Sequence, residues 1–242
     1  MNKDIHKTTD KRTFFILWLL CIVGSLSVFP AVQYLGILPS EVSIWRVLLV
    51  STLQAAVFFG LICWVSSKIV PKTDLRPFVT DNPRKRIVYP ALVSGILVGL
   101  IIFFSDKTIF ASSALVGEGV HPPSWAGALA SIYGAVNEEV LLRLFLFTLI
   151  YFVLNKIFNY KPSKRLMVLW STNIFVALLF GMGHLPVAFK MLGSPSAFEI
   201  SRILFLNGIA GIVFGWLYWS RGLWTAIAAH FVTDLMIHVF LI

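Results

Sequence analysis

Residues 125–154 read WAGALASIYGAVNEEVLLRLFLFTLIYFVL, and inside that run Glu138-Glu139-Val140-Leu141-Leu142-Arg143 sets two adjacent carboxylates and a guanidinium among apolar residues. The run is long enough to cross a bilayer as a helix, which takes about 20 apolar residues. A charged side chain near the bilayer centre costs roughly 3 kcal/mol on insertion scales. Three such charges within six residues mark a functional site turned toward the protein interior. The alternative is a buried ion-paired network that only pins helices together, but one Glu would suffice for that.

Working outward, the whole chain has the same character. Its 242 residues are 58% hydrophobic and 13% charged, with a mean hydropathy of +0.85. Soluble domains carry about 25% charged residues. The expected fold class is therefore all-α, a polytopic transmembrane bundle of about seven spans forming one integral membrane domain over residues 1–242. Approximate limits are Thr13–Gly36, Ser43–Ser67, Ile87–Ser105, Trp125–Leu154, Leu166–Phe189, Ile203–Trp219 and Leu223–Ile242. The fourth is longer than a bilayer needs, so it tilts or begins in the interface. Pro30 is expected to kink or end the first helix.

With the N-terminus in the cytoplasm, the inside segments hold 15 Lys and Arg and the outside segments hold Arg46, Lys107, Lys190 and Arg202, with Arg143 inside the bilayer. The positive-inside rule therefore predicts N-in and C-out. It also accounts for the net charge of +9 without a nucleic-acid partner. The linker Lys68–Arg86 carries six basic residues and three prolines and is expected to lie against anionic headgroups. The first apolar run is too long for the core of a signal peptide and reads as a retained span. No lipid-attachment motif is visible at Ile242. Cys21 and Cys63 lie in separate runs with no metal-type spacing.

Three further polar clusters fall at membrane depth. Phe180-Gly181-Met182-Gly183-His184 places a histidine beside glycines that permit close approach. His230 and Asp234 are four apart on the last span, so they share a face, where a carboxylate can fix the imidazole tautomer. His238 continues that face and reads as structural. Asn173 and Asn207 read as interhelical hydrogen-bond donors. Glu139 and Arg143 lie ~40° apart on a helix and can pair, leaving Glu138 available about 100° away. Small residues four apart, Gly95/Gly99, Gly211/Gly215 and the series Gly127, Ser131, Ala135, predict close helix packing around the charged span or a homodimer contact.

These residues assemble into either of two chemistries. In one, Glu138 with His184 activates water while His230 and Asp234 stabilise an oxyanion. In the other, His184, His230 and a Glu hold zinc with an open position for water. Measured along untilted helices, His230 lies ~12 Å and His184 ~27 Å from the inner ends of their spans. The site therefore requires tilt, or a fifth span that begins before the bilayer.

The series Glu138-Glu139…Arg143, Phe180…His184 and His230…Asp234 resembles the CPBP family of intramembrane proteases, whose pattern is E-E-x-x-x-R, F-x-x-x-H and H-x-x-x-N or D. That family takes in the type II CAAX prenyl endopeptidases and the Abi, or bacteriocin-processing, proteins. The resemblance runs from about Trp125 to the C-terminus, so residues 125–242 carry the protease-like core. It implies an endopeptidase that cuts a membrane-associated peptide or protein terminus. Glu138, His184, His230 and Asp234 would be catalytic, Glu139 and Arg143 supporting, and no metal or other cofactor would take part. Other expected readings are a non-catalytic immunity or scaffold module, or a proton-coupled transporter, against which the lack of an internal repeat counts. The expected partners are the substrate and the lipid bilayer. The compact size and the absence of a eukaryotic retention signal point to a multi-pass protein of the bacterial cytoplasmic membrane.

Overall fold

The computed structural model describes residues 11–36, 38, 43–78, 82–115, 122–159 and 161–241. Lys3, Lys7 and Ile242, which enter the charge tally and the last span, lie outside the described residues. Among those residues the chain is helical, with no strand. Seven stretches are long and apolar enough to span a membrane: Lys11–Tyr34, Ile44–Lys72, Arg84–Thr108, Ser124–Phe158, Pro162–Leu192, Ala197–Arg221 and Leu223–Phe240. Each lies over one of the seven stretches predicted from hydropathy.

Two spans break where a proline removes a donor and crowds the preceding turn. The first divides into α1 (Lys11–Ser27) and α2 (Phe29–Tyr34), with Pro30 in the first turn of α2. The fifth divides into α7 (Arg165–Gly183) and α8 (Leu185–Leu192), with Pro186 in the first turn of α8. His184 therefore sits at a helix break rather than in the middle of one continuous span. The remaining α-helices are α3 (Ile44–Ile69), α4 (Tyr89–Thr108), α5 (Ser124–Tyr133), α6 (Thr148–Phe158), α9 (Ala197–Arg221) and α10 (Leu223–Leu235). Between α5 and α6 the fourth span winds as π-helix over Gly134–Glu138 and Val140–Phe147. π-Helical turns are rare and collect at functional sites.

Contacts at the two ends of the bundle show that the spans alternate. At one end Phe14 meets Phe78 edge-on, Arg165 and Tyr151 bond to Asp74, and the Leu223 N–H donates to the Pro77 carbonyl at 2.7 Å. At the other, Tyr34 meets Trp125 and Arg202 binds Asp106 through two bonds of 2.7 and 2.6 Å. Glu199 there joins the Ser196 capping box of α9 and accepts from the Ala114 N–H. The first end gathers residues 73–78 and 82–88 of the linker, residues 161–164 and the Gly222 turn, which belong to the lysine- and arginine-rich segments; it is called the basic end below.

The fourth span lies at the centre of the bundle, with α1, α3, α7, α9 and α10 packed against it. Arg143 and Glu139 are fully buried there. On α3, Leu49, Leu53, Val57, Leu61 and Trp64 form an outward stripe. A water-soluble monomer rarely shows so large an apolar face, whereas lipid accommodates it. The small residues sit where neighbours approach: Gly95 against the Ala229 carbonyl and Val232, Gly99 against Met236, Gly127 against His238, and Gly211 against Ala177. The pairing along α9 fixes the levels of its neighbours. Trp219, Gly211 and Leu204 face Trp170, Ala177 and Gly181 on α7, while Phe214 stacks on His230 of α10.

Candidate active site

Four spans contribute to one polar cluster in the apolar interior. Glu138, Glu139 and Arg143 come from the π-helical stretch of the fourth span. Arg143 Nε lies 3.3 Å from Glu139 Oε2, so the pairing predicted from spacing is present. Arg143 also donates from Nη2 to the Gly211 carbonyl at 3.3 Å and stands 5.5 Å from the centre of the Phe180 ring. The π-helix closes at Thr148, whose hydroxyl donates to the Arg143 carbonyl and also bonds the Tyr218 hydroxyl at 2.6 Å.

Glu139 has a second partner that helix spacing cannot reveal. His230 Nδ1 lies 3.0 Å from Glu139 Oε1. One carboxylate thus joins Arg143 on its own helix to His230 across the bundle. An ionised carboxylate only accepts, so His230 donates from Nδ1. Its Nε2 faces outward toward Asp234 Oδ1 at 3.5 Å and Glu138 Oε2 at 3.9 Å. The sequence assigns the orienting of His230 to Asp234. In the structure Glu139 makes the closer bond, because Asp234 lies along the helix axis on the Nε2 side. Phe214, which the sequence reading did not single out, stacks on the other face of the ring at 4.6 Å.

The levels of the two histidines differ, as predicted. His230 sits opposite Phe214, and Phe214 lies between the α9 positions that face Asn173 and Ala177 on α7. Phe180 crosses the remaining distance. Its ring is 5.7 Å from that of His230 and 4.9 Å from that of His184. Helical side chains lean toward the helix N-terminus, so Phe180 and His184 lean back toward His230. Glu138 comes from an antiparallel span and leans the opposite way, which brings its carboxylate within electrostatic reach of both histidines. His184 Nδ1 lies 2.9 Å from the Phe180 carbonyl, which can only accept. That bond leaves Nε2 with its lone pair. The carbonyl is open to it because at the helix break the His184 N–H bonds Gly181 instead.

Access separates the two glutamates. The Glu139 side chain is 0% exposed and Glu138 22% exposed. Gly134, one turn before Glu138, lets Asp234 and His230 press against the helix; a Cβ there would overlap Asp234 Oδ2 and fall 3.3 Å from His230 Nε2. The sequence singles out the neighbouring Ala135 but not this glycine. Asn173 donates across to the Ile212 carbonyl, as predicted. Asn207 does not act between helices; it donates to Ile203 one turn back on its own helix. The exposed His238 takes no part in the cluster and contributes packing against Gly127. Among the described residues no three His, Cys, Asp or Glu side chains converge as a metal-ligand set.

Residues 120–236 match the family model described as type II CAAX prenyl endopeptidase Rce1-like. The match takes in all six residues of the cluster and leaves the first three spans outside it. No curated protein and no solved structure is a significant match to the chain.

Proposed function

We propose, from the membership of residues 120–236 in the Rce1-like type II CAAX prenyl endopeptidase family, that this integral membrane protein is an intramembrane endopeptidase. It hydrolyses a peptide bond near the terminus of a membrane-associated peptide or protein with water activated by a glutamate. The observation that carries this reading is the division between the paired glutamates. Glu139 is buried and engaged by both Arg143 and His230, whereas Glu138 is unengaged at hydrogen-bond distance and open to a small molecule.

A water between Glu138 and His184 donates one proton toward the carboxylate and the other to His184 Nε2, aiming its lone pair at the scissile carbonyl. As the C–O bond forms, Glu138 takes the proton. The oxyanion is met by the Nε2–H of His230 acting as an imidazolium, which donates from both ring nitrogens and is held in place by Glu139 on Nδ1 and by the Phe214 face. Glu138 then returns the proton to the leaving amine as the C–N bond breaks. Asp234 faces the same Nε2 and, with Glu139 on the other nitrogen, balances the imidazolium charge. Burial among apolar helices excludes bulk water, so each of these groups acts at low dielectric. No step passes through a metal. The family name points to a prenylated C-terminal peptide as substrate, and the protein acts in the plane of the membrane, where such a chain resides.

The test compares newly formed peptide termini in membranes holding wild type or Glu138→Gln at matched levels, with and without a chelator. Loss of a positioned general base costs about 10²–10⁴-fold, so termini seen with wild type should vanish in the variant and persist with chelator. Identical termini with both proteins would support a non-catalytic module instead. Chelator-sensitive cleavage restored by zinc would overturn the metal-free step.

A further inference from the structure

A second polar site lies at the basic end, away from the glutamate cluster. A hollow of about 210 Å³ opens between the linker after α3, the end of α6 and the start of α7. It is lined by Lys72, Asp74, Tyr151, Asn155, Lys161 and Arg165, among others. Its single carboxylate, Asp74, is already occupied by the Arg165 guanidinium and by the hydroxyl of the buried Tyr151 at 2.8 Å. Burial would raise the Asp74 carboxyl, but those two hydrogen bonds and the charge of Arg165 outweigh it and hold the group below the usual carboxylate range. Asp74 therefore neutralises Arg165, and the lining of the hollow supplies no second carboxylate for the two lysines. No described residue pairs with Lys72 or Lys161. A second hollow, lined by Phe158, Asn159, Lys161 and Lys164, adjoins the first through Lys161.

The surface beside these hollows is apolar and faces outward. Ile157, Phe158, Leu166 and Met167 are each more than half exposed, on the last turn of α6 and the first turn of α7. The site thus combines ammonium groups that no described residue pairs, a neutral donor from Asn155, and an adjacent strip fit for hydrocarbon. A soluble anion would use only the first two features. We propose that this hollow binds the phosphodiester of an anionic membrane lipid, with Lys72 and Lys161 on the phosphate and the acyl chains against Ile157, Phe158, Leu166 and Met167. The proposal does not depend on the proteolytic reading. It assigns a discrete headgroup site to one part of a charge pattern that topology alone would explain.

The full chain, purified in neutral detergent, is titrated with phosphatidylglycerol, with phosphatidylcholine of matched chains, or with glycerol phosphate, and bound molecules are counted by native mass spectrometry. Phosphatidylglycerol should occupy one site more tightly than phosphatidylcholine, and glycerol phosphate should compete weakly. Each lysine near an anionic headgroup contributes roughly fivefold, so Lys72→Gln with Lys161→Gln should weaken binding about 25-fold. Lys72→Arg with Lys161→Arg should retain it, and Lys190→Gln at the opposite end should leave it unchanged. Wild-type affinity in the double Gln variant, or equal losses with Lys190→Gln, would overturn the site. Full displacement by glycerol phosphate at equal concentration would overturn the lipid assignment in favour of a soluble phosphate.

Discussion

Gly134→Ala tests whether the contact between the fourth span and α10 sets the chemistry. The added methyl would lie closer to Asp234 Oδ2 than any hydrogen bond allows and 3.3 Å from His230 Nε2. Carbon and oxygen need about 3.3–3.5 Å, so the Asp234 carboxylate must withdraw by about 1 Å, taking His230 Nε2 with it or parting from it. The atom displaced is the end of a side chain and not backbone, so the helices need not separate. Alanine is also better than glycine inside a helix by about 1 kcal/mol, which offsets the local repulsion. Net stability should change by no more than about 1 kcal/mol. The reaction geometry should suffer far more, because a displacement near 1 Å can cost roughly 10²-fold in rate. The assay is kcat/KM for release of the peptide terminus that the wild-type comparison identifies, measured with the protein in bilayers, alongside thermal unfolding of the same preparation. Intact unfolding with kcat/KM within about threefold of wild type would refute the role given to the Asp234–His230 arrangement. An unfolded Gly134→Ala protein would refute the packing argument itself.

Three other outcomes follow from the same contacts. Arg143→Met leaves Glu139 buried without its guanidinium, which should cost about 3–5 kcal/mol in denaturant unfolding; adding Glu139→Gln should recover most of that, and a single variant as stable as wild type would sink the pairing argument. Asp74 titrates below its ordinary value, so its contribution is complete above the unfolded carboxyl pKa of about 4 and is lost as pH falls through the lower folded value. The gap in unfolding midpoint between wild type and Asp74→Asn should therefore be constant near neutrality and close below about pH 4; because the side chain is half exposed, the gap is small, and one that widens in acid would reverse the assignment. Gly95→Ala would place a Cβ 2.6 Å from the Ala229 carbonyl and should destabilise by about 1–3 kcal/mol, whereas Gly208→Ala meets nothing within 4 Å and should be more stable than wild type by up to about 1 kcal/mol.

The sequence by itself determined the number and placement of the spans, because hydropathy over about 20 residues is a local property of the chain. It determined the break at Pro30 for the same reason, and the Glu139–Arg143 pair, because residues four apart on a helix are neighbours. Glu138, His184, His230 and Asp234 stood out as polar groups at apolar depth, where each is costly to retain. Tertiary structure decided which of them meet and which stays accessible. Nothing in the chain around Glu139 says that its second oxygen belongs to His230, 91 positions away, or that Glu138 keeps the access its neighbour lacks. That choice depends on the π-helical winding of the fourth span, which changes the face each residue presents, and on which helix arrives opposite it. The difference in level between His184 and His230 was legible from residue counts, but the ring that spans it was not. Phe180 bridges the two because α7 packs on α9 in one register and its side chains lean toward the helix N-terminus. Spacing within one helix fixes angles about its own axis, whereas distances between helices are set only once small residues such as Gly134 and Gly211 let their backbones meet.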